Sequence, residues 1–157
     1  MKFRQIAVLF LATGCYIGKI PIAPGTFGSL FALLPCFLLS RLPWWAEMVT
    51  VVVFAGCAVI VADAAEKLLN EKDPGSIVID EIAGMMVTLA GLPFNGVTVV
   101  SGVIIFRILD ITKPFPIRAI ERRLNGGTGV VLDDLAAGVM GNILLRLILS
   151  LTGNSPS

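Results

Sequence analysis

The stretch "GSIVIDEIAGMMVTL", residues 75–89, is aliphatic except for two adjacent carboxylates, Asp80 and Glu81, and small polar residues at its edges. An ionised carboxylate in hydrocarbon is costly unless it is paired, solvated or bound to a cation. Two questions follow: what surrounds this stretch, and what neutralises it.

Composition answers the first. Of 157 residues, 56% are hydrophobic and 15% charged, and the mean hydropathy is +0.91. A single soluble core needs far less apolar surface, so the chain reads as an all-α polytopic membrane bundle, one domain over residues 1–157. A net charge of +1 offers no field for nucleic acid. Apolar segments at residues 27–40, 44–62, 77–92, 97–109 and 130–151 predict about five spanning helices. The first, third and fourth fall short of the roughly 20 residues a span wants and must borrow from their flanks. Residues 1–18, "MKFRQIAVLFLATGCYIG", predict an uncleaved interfacial or re-entrant helix, since "ATGC" only weakly imitates a lipoprotein cleavage site. Cys15, Cys36 and Cys57 show no CxxC pairing and read as small buried hydrophobes.

Charge tests the topology independently. If residues 27–40 run outward, Lys2, Arg4, Lys19, Lys67, Lys72, Arg107, Lys113, Arg118, Arg122 and Arg123 all fall on or near the cytoplasmic side. Arg41 lies outside and Arg146 within the last span. The acids divide the same way, with Glu47 alone outside, and the positive-inside rule gives no reason for that. Punctuation agrees: Asp73-Pro74 predicts an N-cap with proline in the first turn, Thr128 a cap for the last helix, and Pro114 and Pro116 a stop after Lys113. Pro93 marks an external turn, and the tail at 152–157 should fray.

"IVIDEIAG", residues 77–84, is echoed by "VVLDDLAA", residues 130–137, class by class. Both put a carboxylate pair near the cytoplasmic end of an inward-going helix. Asp80 shares a helix face with Gly84 and Val87, and Asp134 shares one with Gly138, Gly141 and Asn142. Glycine permits close helix approach, so the two faces are expected to meet and bring the carboxylates together. A hard cation such as Mg²⁺ suits an all-oxygen set in a chain without histidine, and Mg²⁺ favours a phosphate-bearing partner. The competing reading is a structural ion-pair network neutralised by Arg107, Lys113 or the loop arginines.

Absences prune the phosphatase chemistries. Without histidine no phosphohistidine forms, Cys36 has no arginine six positions on, and there is neither a DxD motif nor a GxxxxGK[ST] loop. Metal-assisted attack by water is the simplest route left. In "FRILDITKPFPIR", residues 106–118, Arg107, Asp110 and Lys113 recur every three residues on one side of a helix end. In "PIAPGTFGSL", residues 21–30, Gly25, Thr26, Gly28 and Ser29 open a helix where backbone N–H groups and hydroxyls can hold an anion.

Four ordered stretches, "PGTFGSL" (24–30), "DPGSIVIDEIAGM" (73–85), "FRILDITKPFPI" (106–117) and "GGTGVVLDDLAAGV" (126–139), resemble the phosphatidylglycerophosphatase A family. The resemblance implies a mainly helical, multi-pass enzyme of the bacterial inner membrane. It would remove the terminal phosphate of phosphatidylglycerophosphate, with Mg²⁺, at the cytoplasmic face. It assigns Asp80, Glu81, Asp110, Asp133 and Asp134 as catalytic carboxylates, with Asp80, Glu81, Asp133 and Asp134 as metal ligands. Thr26, Ser29, Arg107 and Lys113 become substrate-phosphate contacts. Two other classes stay open: a phospholipid-forming transferase, for which the expected DGxxAR-type repeat is missing, and a small cation transporter, which would want its acids nearer the midplane. Oligomeric state is not legible.

Overall fold

The computed structural model describes residues 3–72, 74–124 and 126–151, with backbone alone at residues 121–123. The expected cap at Asp73 and the tail at 152–157 lie outside the described residues. Regular structure among the described residues is helical throughout: α1 (Phe3–Ala12), a 3-10 turn (Ile17–Lys19), α2 (Pro24–Phe31), α3 (Leu33–Leu39), α4 (Trp44–Leu69), α5 (Ile79–Leu89), α6 (Gly96–Thr112), α7 (Ile117–Arg123) and α8 (Gly127–Leu151).

Two helices, α4 with 26 residues and α8 with 25, are long and apolar enough to cross a bilayer. Large aliphatic side chains stand exposed along both, among them Val49, Val52, Val53 and Ile60 on α4 and Val139, Ile143 and Leu147 on α8. A surface of that kind suits acyl chains better than water. None of the other three expected spans is a single helix of spanning length. Residues 27–40 form two consecutive helices, α2 and α3, joined at Ala32; Pro35 cannot donate to the carbonyl of Phe31, which weakens the helix there. α6 has 17 residues and α5 only 11.

α5 can be short because protein surrounds it. It packs against α8, α4, α6, α2 and α3, and nine of its eleven residues are buried. Its C-terminal carbonyls, which in hydrocarbon would be orphaned, are taken by α8. Asn142 Nδ2 donates to the carbonyls of Val87 (3.2 Å), Thr88 (3.0 Å) and Ala90 (2.9 Å), and Arg146 Nη2 donates to those of Ala90 and Gly91 (both 3.1 Å). Glu47 on α4 accepts the Gly91 N–H at 3.1 Å. Replacing Asn142 with leucine leaves carbonyls without donors at this end. The expected result is a loss of about 1–3 kcal/mol of stability, read as a lower thermal midpoint in detergent.

Several boundaries differ from the sequence reading. α5 begins at Ile79, five residues after Pro74, so that proline does not open the helix. Thr128 sits inside α8 rather than capping it. The start of α8 lies against Asp63 instead, whose backbone a Cβ on Gly127 would overlap. Lys113 ends α6 in a left-handed conformation, φ 44°, and α7 after it was not foreseen. Its Ile117 is fully buried where α7 packs on α8. Of the cysteines only Cys36 is buried; Cys15 and Cys57 are exposed, Cys57 on the outer surface of α4, where an apolar neighbourhood does not require burial in protein.

Candidate active site

The approach of α5 and α8 builds the site. A Cβ on Gly84 would meet the Phe106 ring at 2.6 Å and the Asp134 carbonyl at 2.8 Å, and one on Gly138 would overlap the carbonyl of Gly84. These two glycines let the helix backbones touch, as the shared-face argument requires. One turn before Gly84, Asp80 and Glu81 occupy the first turn of α5, and Asp134 lies one turn before Gly138. One carboxylate oxygen from each of Asp80, Glu81 and Asp134 falls within 4.8 Å of the others.

The two acid pairs repeat one local geometry. Asp80 Oδ1 accepts the Glu81 N–H at 3.0 Å, and Asp133 Oδ1 accepts the Asp134 N–H at 3.1 Å. Each first aspartate thus anchors on the following amide. Beyond that the pairs diverge. Asp133 Oδ2 pairs with Lys113 Nζ at 2.5 Å, so the structure places Asp133, expected among the metal ligands, in an ion pair beside the three-carboxylate group. The echo between residues 77–84 and 130–137 is real in placement and unequal in partners.

α6 contributes the counter-charge. Arg107 Nη1 binds Asp110 Oδ2 at 2.6 Å and lies 3.8 Å from Glu81 Oε1. Asp110 also adjoins the carboxyl of Asp134, which joins it to the cluster. Among the described residues neither Asp80 nor Asp134 has a cationic partner, and both are buried, 6% and 5% exposed. Two cations, Arg107 and Lys113, therefore face five carboxylates, and their ion pairs reach Glu81, Asp110 and Asp133 but not the buried Asp80 and Asp134. Three side-chain atoms here are buried without a hydrogen-bond partner: Glu81 Oε2, Asp134 Oδ2 and Arg107 Nε. Such atoms are uncommon in folded chains and call for a ligand.

α2 closes the site with its first turn. A Cβ on Gly25 would overlap Glu81 Oε1 and approach Arg107 Nη1 at 2.9 Å, so the backbone of Gly25 lies directly on the acid–guanidinium pair. Thr26 follows it and is half-buried. Ser29, expected as a phosphate contact, is fully buried and donates its hydroxyl to the Gly25 carbonyl at 2.8 Å; it steadies the turn instead of reaching the cluster. The contact of Gly25 with Glu81 and Arg107 was not foreseen, nor was the grip of Asn142 and Arg146 on α5. A hint of the latter lay in the spacing, since Asn142 and Arg146 continue the Asp134–Gly138 face at helical intervals.

Comparison with known proteins matches residues 10–149 to the family described as phosphatidylglycerophosphatase A. The chain is similar to the Escherichia coli K12 protein named phosphatidylglycerophosphatase A, 42% identical over 139 residues, 88% of this chain and 81% of that one. The Haemophilus influenzae Rd protein of the same name is 36% identical over 142 residues, 88% and 86% of the two chains. A Bacteroides thetaiotaomicron protein with the provisional name phosphatidylinositol-3-phosphatase is 35% identical over 155 residues, 94% and 96%. No solved structure gives a significant match. With a match across nearly the whole chain and relatives of this identity, the chain belongs to the phosphatidylglycerophosphatase A family and is a membrane phosphatase.

Proposed function

We propose that the protein hydrolyses the terminal phosphate monoester of phosphatidylglycerophosphate, releasing phosphatidylglycerol and inorganic phosphate, with Mg²⁺, at the cytoplasmic face of the bacterial inner membrane. One observation carries the reading: in a member of this family, carboxylates from α5 and α8 converge to within 4.8 Å beside Arg107, with Glu81 Oε2 and Asp134 Oδ2 unpartnered. Those free, buried, all-oxygen donors fit a hard divalent cation. Asp80, Glu81 and Asp134 would hold it. Asp133, tied to Lys113, would serve beside it. When bound, Mg²⁺ supplies charge stabilisation for the phosphoryl oxygens and lowers the pKa of water.

The chain's own residues do the rest. Arg107 is aligned by Asp110 and keeps Nε for a phosphoryl oxygen, while Lys113, steadied by Asp133, adds a second cation at the cytoplasmic end of α6. The first turn of α2, with Gly25 and Thr26, borders the same space and offers backbone donors. A carboxylate of the cluster takes the proton of the attacking water. As the new P–O bond forms, the ester P–O bond breaks and its electron pair leaves with the glycerol oxygen, which is then protonated. Direct hydrolysis is favoured over an aspartyl-phosphate because a carboxylate engaged with a cation is a poor nucleophile. The positive-inside distribution supports a cytoplasmic site and a multi-pass arrangement, and the crowding of acids beside bases at one end favours an anionic head group over cation transport.

Phosphate release by the purified protein tests the proposal. We expect release from phosphatidylglycerophosphate that stops with EDTA, returns with Mg²⁺ and exceeds release from phosphatidylinositol-3-phosphate. Faster turnover of the inositol lipid, in line with the Bacteroides relative, would overturn the head-group assignment. Release that persists in EDTA would overturn the metal.

A further inference from the structure

The cytoplasmic end of α4 and the start of α1 enclose a cavity of about 380 Å³ that the catalytic reading does not use. Its walls are Arg4, Gln5 and Val8 from α1 and Ala64, Lys67 and Leu68 from α4. Arg4 and Lys67 are exposed cations, Gln5 adds an amide, and aliphatic side chains line the remainder. We propose that this groove binds the phosphate head group of an anionic phospholipid at a site separate from the acid cluster.

Three features favour that occupant. The helices pack through small residues: Ala12, Ala58, Ala62 and Ala65 are fully buried in one cluster with Val8 and Leu9 at its edge, so the groove has a rigid floor. Its rim is basic and continues outward into exposed apolar surface, with Phe3 and Ile6 exposed on α1 and Ile60 on α4; a phosphate can sit at the rim while acyl chains run along the helices. Basic pockets between membrane helices on the cytoplasmic side are where anionic head groups bind. Lys67 is engaged by Asp63 at 2.5 Å, but both side chains are solvent-exposed, 75% and 41%. Such a pair is weak. Asp63 is itself open to solvent, so Lys67 can turn to a phosphate and leave Asp63 to water.

The groove and the candidate active site also touch the same structure from different sides. Asp63 abuts the start of α8, seven residues before Asp134, and the Ala12 carbonyl accepts the Val78 N–H at 2.9 Å just before α5. A lipid here would lie in the leaflet that supplies the substrate while contacting none of the candidate catalytic residues.

Photolabelling provides the test. The full-length protein is placed in phosphatidylcholine vesicles containing a low fraction of photoactivatable phosphatidylserine, and cross-linked peptides are mapped. Label is expected within residues 3–12 and 60–72. Each basic residue beside an anionic lipid is worth roughly fivefold, so Arg4→Ala with Lys67→Ala should cut that label roughly 25-fold. Phosphate release by the variant should be unchanged. If the double variant does not insert, Lys67→Gln alone should cost roughly fivefold. Equal labelling by photoactivatable phosphatidylcholine, or label that survives the substitutions, overturns the proposal. Activity enters neither criterion, so the outcome is independent of which phosphate ester the enzyme hydrolyses.

Discussion

Asp134→Asn is expected to lower kcat/KM for phosphate release by about 10³-fold, the scale of losing several kcal/mol of charge stabilisation in a water-poor site. Asp134 is buried, has no cationic partner among the described residues and leaves Oδ2 unpartnered. Asparagine keeps the shape and removes the charge, so a loss of this size with the protein still folded would identify a ligand or proton acceptor. The neighbouring substitution is the control. Asp133→Asn weakens the link to Lys113 and should cost only about 10–100-fold, the range for residues that orient a ligand. The two variants, compared in phosphate release across a Mg²⁺ titration, should differ in kind: excess Mg²⁺ should not rescue Asp134→Asn. Equal losses, or the larger loss at Asp133, would reverse the assignment of roles within the pair.

Gly138→Ala is expected to damage the enzyme through geometry alone. The added Cβ would overlap the Gly84 carbonyl and press on Val87 at 3.0 Å, and backbone cannot swing aside as a side chain can. Overpacking of this kind costs about 1–3 kcal/mol. The catalytic effect should be larger than the stability effect. Separating α5 from α8 separates Asp80 and Glu81 from Asp134, and a displacement near 1 Å can cost about 10²-fold in rate. Phosphate release should fall by that factor while circular dichroism stays helical and the thermal midpoint drops by only a few degrees. Wild-type activity in Gly138→Ala would mean that the three carboxylates do not act together. Gly56, by contrast, has nothing within 4 Å of its added Cβ, and Gly56→Ala should be silent.

Much of the site is legible in the sequence alone. The carboxylate pairs, the glycines on their faces and the Arg107–Asp110–Lys113 spacing are all helical-period signals, and helical period predicts which side chains share a face. Contacts between helices are a different matter. Gly25 lies against Glu81 across 56 positions of sequence, and no periodicity within α2 announces it. The competing ion-pair reading names Lys113 among the neutralising bases but not Asp133 as the acid it meets, a pairing made from the left-handed end of α6. Of the five expected spans, two are single helices of spanning length among the described residues, and hydropathy registers an apolar segment whether its neighbours are lipid or protein. α5 and α4 are similarly apolar, yet one is enclosed by helices and the other displays Val52 and Ile60 outward.

That enclosure bears on how the chain is made. A segment of 11 residues opening on two carboxylates is too short and too polar to partition into a bilayer by itself. Its carbonyls find donors in Asn142 and Arg146, and its glycine face finds Gly138, all on α8, some 50 residues further along the chain. During biosynthesis α5 therefore waits, most of the chain already emerged, until α8 arrives to receive it. The acids that would perform the chemistry come together only once α8 is in place, and a chain truncated before α8 would leave Asp80 and Glu81 without these partners.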